Sequence, residues 1–383
     1  LPAITTTSLA AGYVGVSYSA TLHASAAKDK AVTWSLVSGS TLPGGLRLDN
    51  NTITGTPNAA APNHSFTVQA TINGADSTQT VTNTAILSIT INQGTPAFNI
   101  TSGSGTYTYG DIITVSGTIN PSSQVPSNGI NSIAEPAQNQ VGLYVAGNDS
   151  PIATAIVIDD SFVLSYDTAG KGIPIGENQA LTVRYGGSST LTNGSTTVEI
   201  TLNPKAVTAQ VQGEITKVYD GNTSATVNLA VASNDLVNGN DEITVTGTGT
   251  YNSADAGTNI PVTVSDIQAT GAGSAWYTVS APTDVTGAIT QATQAAPNAP
   301  TVIERTSSSV TLAALGTTGQ GALEYGYTTG TEGEPGNWQT GTTFTGLTSG
   351  TTYTFYARYA GNDYYNESQT STGTSVTTLP AIT

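Results

Sequence analysis

Short runs in which apolar and polar residues alternate recur from one end of this chain to the other. Between Val16 and His23, for example, every second residue is apolar. Successive side chains of a β-strand point to opposite faces, so this alternation predicts strands with one buried face. Segments rich in Gly, Pro, Asn and Asp separate the runs, and these residues favour turns. The pattern predicts an all-β chain of sandwiches, with His23 facing solvent and Trp34 on a central strand.

A second feature is a repeat at the two ends, where Leu-Pro-Ala-Ile-Thr occupies residues 1–5 and returns at residues 379–383. Such a repeat is typical of an excerpt from a tandem array, and a further domain is expected to begin just after it. The length of 383 residues and the spacing of strand and turn signals favour domains of immunoglobulin-like size. We expect an elongated rod of tandem Ig-like and fibronectin-like β-sandwiches, with domains at 1–92, 93–203, 204–291 and 292–383.

Composition limits the classes of function. The formal net charge of −16 disfavours nucleic acid as a partner, because nothing in the chain could neutralise phosphates. No apolar run approaches the roughly 18 residues that a membrane span needs, so no direct membrane insertion is expected. The absence of Cys excludes disulfides, thiol catalysis and Cys-ligated zinc. We expect a monomeric fragment of an extracellular protein at the cell surface or in the cell wall of a Gram-positive bacterium, with signal and anchor outside the fragment.

The first segment carries a specific motif. Gly12, Gly15 and Tyr18 open it, Leu-Pro-Gly-Gly-Leu follows at residues 42–46, and Ile-Thr-Gly-Thr-Pro lies at residues 53–57. This pattern resembles the "Putative Ig domain" family of bacterial surface proteins. The resemblance implies a cadherin-like fold. The acidic linker motifs with which cadherins bind calcium are absent, so calcium is not expected between the domains.

The second segment, residues 93–203, resembles bacterial Ig-like domains of adhesins and invasins. The resemblance rests on Tyr-Gly-Gly at residues 185–187, a polar turn and the closing strand at residues 198–202. Residues 121–140 form a Pro-, Asn- and Ser-rich insertion without periodicity, which makes them a candidate contact surface. Asp159 and Asp160 lie between two apolar runs, a position that favours a hairpin tip over a glycosidase pair.

The third segment, residues 204–291, contains Tyr219-Asp220-Gly221 directly after a short strand. It resembles the YDG domain, a repeat of large bacterial surface proteins that is named for this tripeptide. Asp and Gly favour a turn, and Tyr219 is expected to pack. Lys217 is the one lysine that enters a strand, which makes it the candidate for a Lys–Asn isopeptide crosslink. We expect no crosslink.

The fourth segment, residues 292–383, resembles a fibronectin type III domain. Leu-Thr-Ser-Gly-Thr-Thr-Tyr at residues 347–353 matches the corner of that family, in which the hydroxyl of Tyr353 bonds back to the backbone. No Arg-Gly-Asp occurs in the chain. Tyr364 and Tyr365 form an aromatic pair that could stack on a sugar ring, and they are the candidate binding residues. The alternative is that one tyrosine packs while the other lies on the surface.

Catalytic and metal chemistry have little support. The two histidines, His23 and His64, have no evident orienting partner, and no strained nucleophile turn occurs. The loop at residues 234–242 is rich in oxygen ligands, but its spacing fails the EF-hand template. We therefore predict a protein that is not an enzyme, with no catalytic residues, no metal site and no cofactor.

Together these observations predict a non-catalytic stalk or adhesin region of a large secreted or cell-wall-attached bacterial surface protein. It would space and display binding surfaces for a host or matrix protein or a surface glycan. The alternative is an accessory carbohydrate-binding or spacer region of a secreted glycan-degrading enzyme. Flanking sequence discriminates between them: a wall anchor with further repeats favours the first, and a glycosidase domain favours the second.

Overall fold

The computed structural model describes residues 1–26, 30–73, 79–121, 139–239 and 241–382. These residues are all-β, as the alternation predicted, with no α-helix among them and two single 3-10 turns at Thr168–Gly170 and Ser274–Trp276. None of the described segments forms a helix with the length and apolar character of a membrane span. The chain divides into two compact units, Leu1–Lys205 and Ala206–Thr383. This division gives two units and does not test the four predicted domains, so their boundaries stay a prediction.

Residues 1–92 form a four-stranded sheet and a three-stranded sheet around one apolar core that includes Tyr18, Ile53 and Phe66. The strands are β1 (Ala3–Ile4), β2 (Gly12–Tyr13), β3 (Tyr18–Thr21), β4 (Ala24–Ser25), β5 (Val32–Leu36), β6 (Leu46–Asp49), β7 (Thr52–Gly55), β8 (Ala61–Asn73) and β9 (Thr80–Asn92). The larger sheet has the order β2-β9-β8-β5 and the smaller one β3-β7-β6, with β1 paired to β4. His23 is exposed, as predicted.

The prediction that Trp34 lies on a central strand is wrong. Strand β5 ends the four-stranded sheet and pairs only with β8 among the described strands, so Trp34 is on an edge and half-buried. Period-two alternation reports which face of a strand is buried, but it does not report the place of the strand in its sheet.

Residues 93–203 form a sheet of three strands and a sheet of five. The strands are β10 (Pro96–Ser102), β11 (Gly105–Thr108), β12 (Ile112–Pro121), β13 (Gln140–Val145), β14 (Ala153–Ile156), β15 (Ser161–Asp167), β16 (Gly176–Tyr185) and β17 (Gly194–Asn203). Their orders are β10-β12-β15 and β11-β17-β16-β13-β14. Inward-facing residues such as Ile113, Leu143 and Leu181 are fully buried.

The second unit begins with a larger sheet. Its strands are β18 (Lys205–Thr208), β19 (Gln210–Val211), β20 (Thr216–Val218), β21 (Ser224–Ala225), β22 (Leu229–Ala230), β23 (Thr244–Tyr251), β24 (Gly257–Thr270), β25 (Tyr277–Ser280) and β26 (Thr286–Thr290). The sheet order is β19-β22-β23-β24-β26-β20, with β21 also on β23, and β18 pairs with β25. Tyr251 is buried in the core, where its hydroxyl donates to Ile215 O or Ala288 O, both at 3.1 Å.

The last part of the second unit is a sandwich of a three-stranded and a four-stranded sheet. Its strands are β27 (Val302–Arg305), β28 (Ser309–Leu312), β29 (Leu323–Thr329), β30 (Trp338–Gln339), β31 (Thr343–Thr345), β32 (Thr352–Tyr359) and β33 (Thr374–Thr377). The orders are β27-β28-β31 and β30-β29-β32-β33. The predicted corner is present, with Thr348 N donating to the hydroxyl of Tyr353 at 2.9 Å.

Three of the four segments share one topological device. An opening strand runs parallel beside the closing strand in the pairs β2 with β9, β11 with β17 and β20 with β26. In the described part of residues 292–382 every named strand pair is antiparallel. The device places strand β20, and the turn that follows it, directly beside the end of β26. That position matters because the chain leaves this domain at β26.

Candidate functional site

The turn that follows β20 is organised around the ammonium group of Lys217. Its Nζ lies 2.6 Å from Asp220 Oδ1 and donates to Asn222 O at 2.7 Å and Asn222 Oδ1 at 2.8 Å. Asp220 Oδ1 also accepts from Asn222 N at 3.1 Å, and Gly221 adopts φ +78°. The hydrogen bond from Lys217 is the main cause that lowers the pKa of Asp220 below its ordinary value. Asp and Gly thus make the turn, as predicted.

This geometry bears on the crosslink that Lys217 and Asn222 could form. An isopeptide bond needs an unprotonated amine and a buried acid to assist it. Here the side chain of Asp220 is 47% exposed and its pKa is lowered, so Asp220 is a charged surface carboxylate and not a buried, protonated acid. The absence of a crosslink stays the prediction, and an intact mass lower than calculated by one ammonia would contradict it.

Tyr219 points away from the turn toward the last β domain of the same unit. Its ring centroid lies 4.8 Å from that of Tyr364, with the ring planes 25° apart, which is a stacked contact. The ring of Tyr365 meets it edge-on at 5.6 Å and 78°. Two rings in different orientations therefore contact one tyrosine, a geometry that aromatic quadrupoles favour.

The loop that carries the two partner rings is held by Asn362. Its Oδ1 accepts from Tyr364 N at 2.9 Å and from Tyr365 N at 2.8 Å, which is the usual way in which asparagine closes a turn on its own backbone. Asn362 N donates to Tyr365 O at 2.9 Å. The loop is thus ordered by bonds of its own before any contact with Tyr219.

The linker between β26 and β27 lies against this loop and is hydrogen-bonded to it. Ala292 N donates to Tyr364 O at 2.9 Å, and Ala292 O accepts from Asn366 N at 2.9 Å. The chain therefore forms a short parallel bridge with the loop, immediately after the last strand of the preceding domain.

Two glutamine side chains of the linker add to this bridge. Gln291 Nε2 donates to Asn362 O at 2.6 Å. Gln294 donates through Nε2 to Asn366 O at 2.8 Å and to Ala360 O at 3.2 Å, and its Oε1 accepts from Gln320 N at 3.0 Å and Gly321 N at 3.3 Å. One side chain thus satisfies both its donor and its acceptor on the domain that follows.

Asp255 of the preceding domain, in the turn between β23 and β24, also influences Tyr364. Its negative charge is the main cause that raises the pKa of Tyr364 above the ordinary 10.0. Asp255 Oδ2 also accepts from Ser253 Oγ at 2.9 Å. Tyr364 therefore stacks on one turn of that domain and feels the charge of a second.

The two predicted binding residues, Tyr364 and Tyr365, are thus brought together with Tyr219. Tyr364 is 36% exposed, and a binding role for an outside ligand stays a prediction. Sequence reasoning expected Tyr219 to pack but did not find that it packs on Tyr364 and Tyr365, and it missed Asp255 and the linker glutamines. The one available signal was two glutamines in a linker that is otherwise Ala, Thr, Asn and Pro.

The other candidates for chemistry have structural explanations. Asp159 and Asp160 form the tip of a hairpin, with φ of 48° and 63°, and Ile158 and Ser161 exchange two backbone bonds of 2.9 Å. His64 Nε2 lies 2.8 Å from Thr41 O. Most of the insertion at 121–140, from 122 to 138, lies outside the described residues.

The oxygen-rich loop at 234–242 is organised by a tyrosine. Tyr277 donates its hydroxyl proton to Asp241 Oδ2 at 2.6 Å, and the same hydroxyl oxygen accepts from Val237 N at 2.7 Å. Residue 240 lies outside the described part of the chain. Within the described part, no group of three or more His, Cys, Asp or Glu could hold a metal ion.

A further concave surface lies on the five-stranded sheet of residues 93–203. The guanidinium carbon of Arg184 lies 4.2 Å from the ring centroid of Tyr144, within the range of a cation–π contact. Arg184 Nη1 is 3.6 Å from Asp149 Oδ1. Tyr144 and Arg184 line a groove of about 550 Å³, together with Gln140, Thr154, Asn193 and Ser195.

Comparison with known proteins assigns two parts of the chain. Residues 1–92 match the family described as "Putative Ig domain", and residues 203–286 match the YDG domain. The resemblances of these two segments are confirmed. The bacterial Ig-like resemblance of residues 93–203 and the fibronectin type III resemblance of residues 292–383 stay predictions. No curated protein sequence matches the chain.

Solved structures similar to this chain include tandem Ig fragments. Domains A168-A170 from titin are 10% identical over 97% of this chain and 98% of that one, with a TM-score of 0.28. The I-band fragment I67-I69 from titin is 12% identical over 99% of both chains, with a TM-score of 0.27. Drosophila N-cadherin EC1-4 is 12% identical over 64% of this chain and 62% of that one, with a TM-score of 0.23. The chain is a tandem of Ig-like β domains, and the Ig-like and YDG families are generally non-catalytic.

Proposed function

We propose that this chain is a non-catalytic spacer and display region of a large secreted or cell-wall-attached bacterial surface protein. The observation that carries the proposal is the contact between two successive β domains of the second unit, where Tyr219, the linker and the loop at 362–366 meet. A spacer needs domains held at a defined geometry, and ordered junctions supply it.

The arrangement of loops on a framework of strands supports the same proposal. Recognition on β-sandwiches is commonly carried by loops on a rigid scaffold, and this chain has many turns on a framework of strands. Its partner would be a host or matrix protein or a surface glycan, and its location would be extracellular. Absence of enzymatic activity is part of the proposal: the ring of His64 lies against a backbone carbonyl, Thr41 O, and His23 is exposed, whereas a hydrolytic triad holds its histidine between a nucleophile and a carboxylate.

Small-angle scattering tests the spacing part of the proposal. Four sandwiches with strands of eight to ten residues at about 3.3 Å per residue, placed end to end, give a maximum dimension above about 120 Å. A dimension near that of a 38.7 kDa sphere would contradict the proposal. Turnover of any polysaccharide or peptide by the purified chain would contradict the non-catalytic part.

One observation favours a second candidate function, an accessory carbohydrate-binding region of a glycan-degrading enzyme. The groove at Tyr144 and Arg184 offers an aromatic ring, a guanidinium and neutral amides and hydroxyls on one surface. Sugar sites in proteins combine such groups. A glycan screen with the intact chain, repeated with Arg184→Met and Tyr144→Ala, tests it. Binding that both substitutions abolish supports this candidate, whereas no binding to any glycan contradicts it.

A further inference from the structure

We propose that the Tyr-Asp-Gly turn is a docking surface for the β domain that follows it in the chain, and that docking depends on Tyr219. The partner is a loop of that next domain which presents two adjacent tyrosines behind an asparagine. This docking contact would explain how a spacer keeps two successive domains at a fixed distance. It rests on the proposed spacer function, because that function requires a fixed arrangement of the domains.

The three residues of the motif divide into two tasks. Asp220 and Gly221 make the turn, because the carboxylate is occupied by Lys217 and Asn222 and the glycine adopts positive φ. None of these bonds uses the side chain of Tyr219, whose N–H instead donates to Thr290 O at 2.8 Å. The turn could therefore form with another residue before Asp220. The ring of Tyr219 is available for a different task.

That task is visible in the contacts of the ring. Tyr219 packs on one side against the core of its own domain, and on the other side it meets Tyr364 and Tyr365. Without the next domain the second side would be an apolar surface in water, a costly position for a large aromatic side chain. The next domain covers it with a stacked ring and an edge-on ring.

The partner loop fits this surface in chemistry as well as in shape. Tyr364 stacks on Tyr219 with ring centroids 4.8 Å apart, and the ring of Tyr365 meets the same tyrosine edge-on. The bridge at Ala292 joins the linker to the same loop. Because the linker leaves β26 beside β20, the parallel pairing of these strands brings turn, linker and loop to one place.

Fixed distances between the two domains test the proposal in the full chain. The chain has no cysteine, so Thr263→Cys on β24 and Glu304→Cys on β27 place one spin label in each domain, both at exposed positions. Pulsed electron spin resonance should give a narrow distance distribution. Tyr219→Ala should broaden it to at least about twice the width. Tyr219→Phe keeps the ring and should leave it narrow.

Two further variants keep the test decisive. Val218 is the exposed neighbour of Tyr219, so Val218→Ala should leave the distribution unchanged. Tyr219 also contacts its own core, and Tyr219→Ala could unfold that domain. Tyr364→Ala removes the docking ring from the other side, where it lies outside the core of its domain, and should broaden the distribution equally.

The outcomes separate the docking surface from the spacer role. A narrow distribution that survives both Tyr219→Ala and Tyr364→Ala, in chains that circular dichroism shows to be folded, overturns the docking role and leaves fixed spacing intact. A broad distribution in the unsubstituted chain overturns both the docking surface and the fixed geometry on which the proposed function relies.

Discussion

Each compact unit contains one junction between successive β domains: the first lies between β9 and β10, and the second lies between β26 and β27. The linkers at these two junctions make similar hydrogen bonds. Between β9 and β10, Gly94 N donates to Thr190 O at 2.8 Å and Gly94 O accepts from Thr192 N at 2.9 Å. Ala292 makes the corresponding pair of bonds with the loop at 364–366. Each linker also uses a glutamine amide, and at the first junction Gln93 Nε2 donates to Ser188 O at 2.7 Å.

The two junctions differ in what surrounds the linker. At the second junction the body of the preceding domain contributes Tyr219 to the contact, and the charge of Asp255 acts on Tyr364. At the first, a groove of about 450 Å³ lies beside the linker and is lined from both sides, by Tyr13 and Pro62 and by Thr95 and Thr192. Backbone bonds seat a linker on the next domain. At the second junction the stacked rings add an aromatic contact between the two domains to these backbone bonds.

The largest expected effect comes from a substitution in the core of one domain. The measurement is the loss of stability that this substitution causes in the neighbouring domain across each junction. Phe355 is fully buried in the last domain, and Phe355→Ala should cost about 3–5 kcal/mol there. Through the contact of Tyr219 with Tyr364, the preceding domain should lose up to about 0.5–1.5 kcal/mol of stability, which is the contribution of an aromatic pair. Hydrogen exchange followed by mass spectrometry should therefore show faster exchange in Thr244–Tyr251 of the preceding domain.

The matched control lies in the first unit. Leu143 is fully buried in its own domain, and Leu143→Ala should cost about 2–5 kcal/mol. Exchange in Ala61–Asn73 of the preceding domain should change less than exchange in Thr244–Tyr251 does for Phe355→Ala. Equal transmission at the two junctions would remove the distinction between them.

Much of this architecture could be predicted from local sequence. Alternation predicts sheets because burial of one face is a property of each strand alone. The corner at Tyr353 is also local, since its partner Thr348 lies five residues away. The edge position of Trp34 and the parallel pairing of β20 with β26 depend on which strands meet, and that is decided by the whole chain.

The contact of Tyr219 with Tyr364 could not be predicted for the same reason. Both tyrosines were singled out, one as a packing residue and one as a candidate ligand contact. Their meeting depends on the place where β26 ends and on the direction of the linker after it. Neither is encoded in the few residues around each tyrosine, so sequence reasoning found the residues without finding their relation.

A smaller effect should come from one glutamine in each linker, Gln93 at the first junction and Gln294 at the second. Both side chains are half-buried, and they differ in the number of their hydrogen bonds. Gln294→Ala leaves two carbonyls and two backbone N–H groups without a partner, for a cost of about 1–2 kcal/mol. Gln93→Ala removes one short bond to Ser188 O and one long bond of 3.5 Å to Ser189 O, and it should cost about 0.5–1 kcal/mol. Thermal unfolding of each variant in the full chain measures the two costs. A larger loss for Gln93→Ala would mean that the first junction is the tighter one.

The smallest effect should appear at high pH, and only at the second junction. The charge of Asp255 raises the pKa of Tyr364 in the folded chain above the 10.0 of a free tyrosine. The stability that the raised pKa of Tyr364 contributes is fully present below pH 10.0 and is lost as the pH rises through the folded pKa. The contact of Tyr364 with Tyr219 should therefore weaken in that pH range. Tyrosine ring carbon signals in nuclear magnetic resonance, assigned by difference from Tyr364→Phe, follow the titration. Asp255→Asn removes the charge and should move the midpoint back toward 10.0. An unchanged midpoint would mean that the charge of Asp255 does not act on Tyr364.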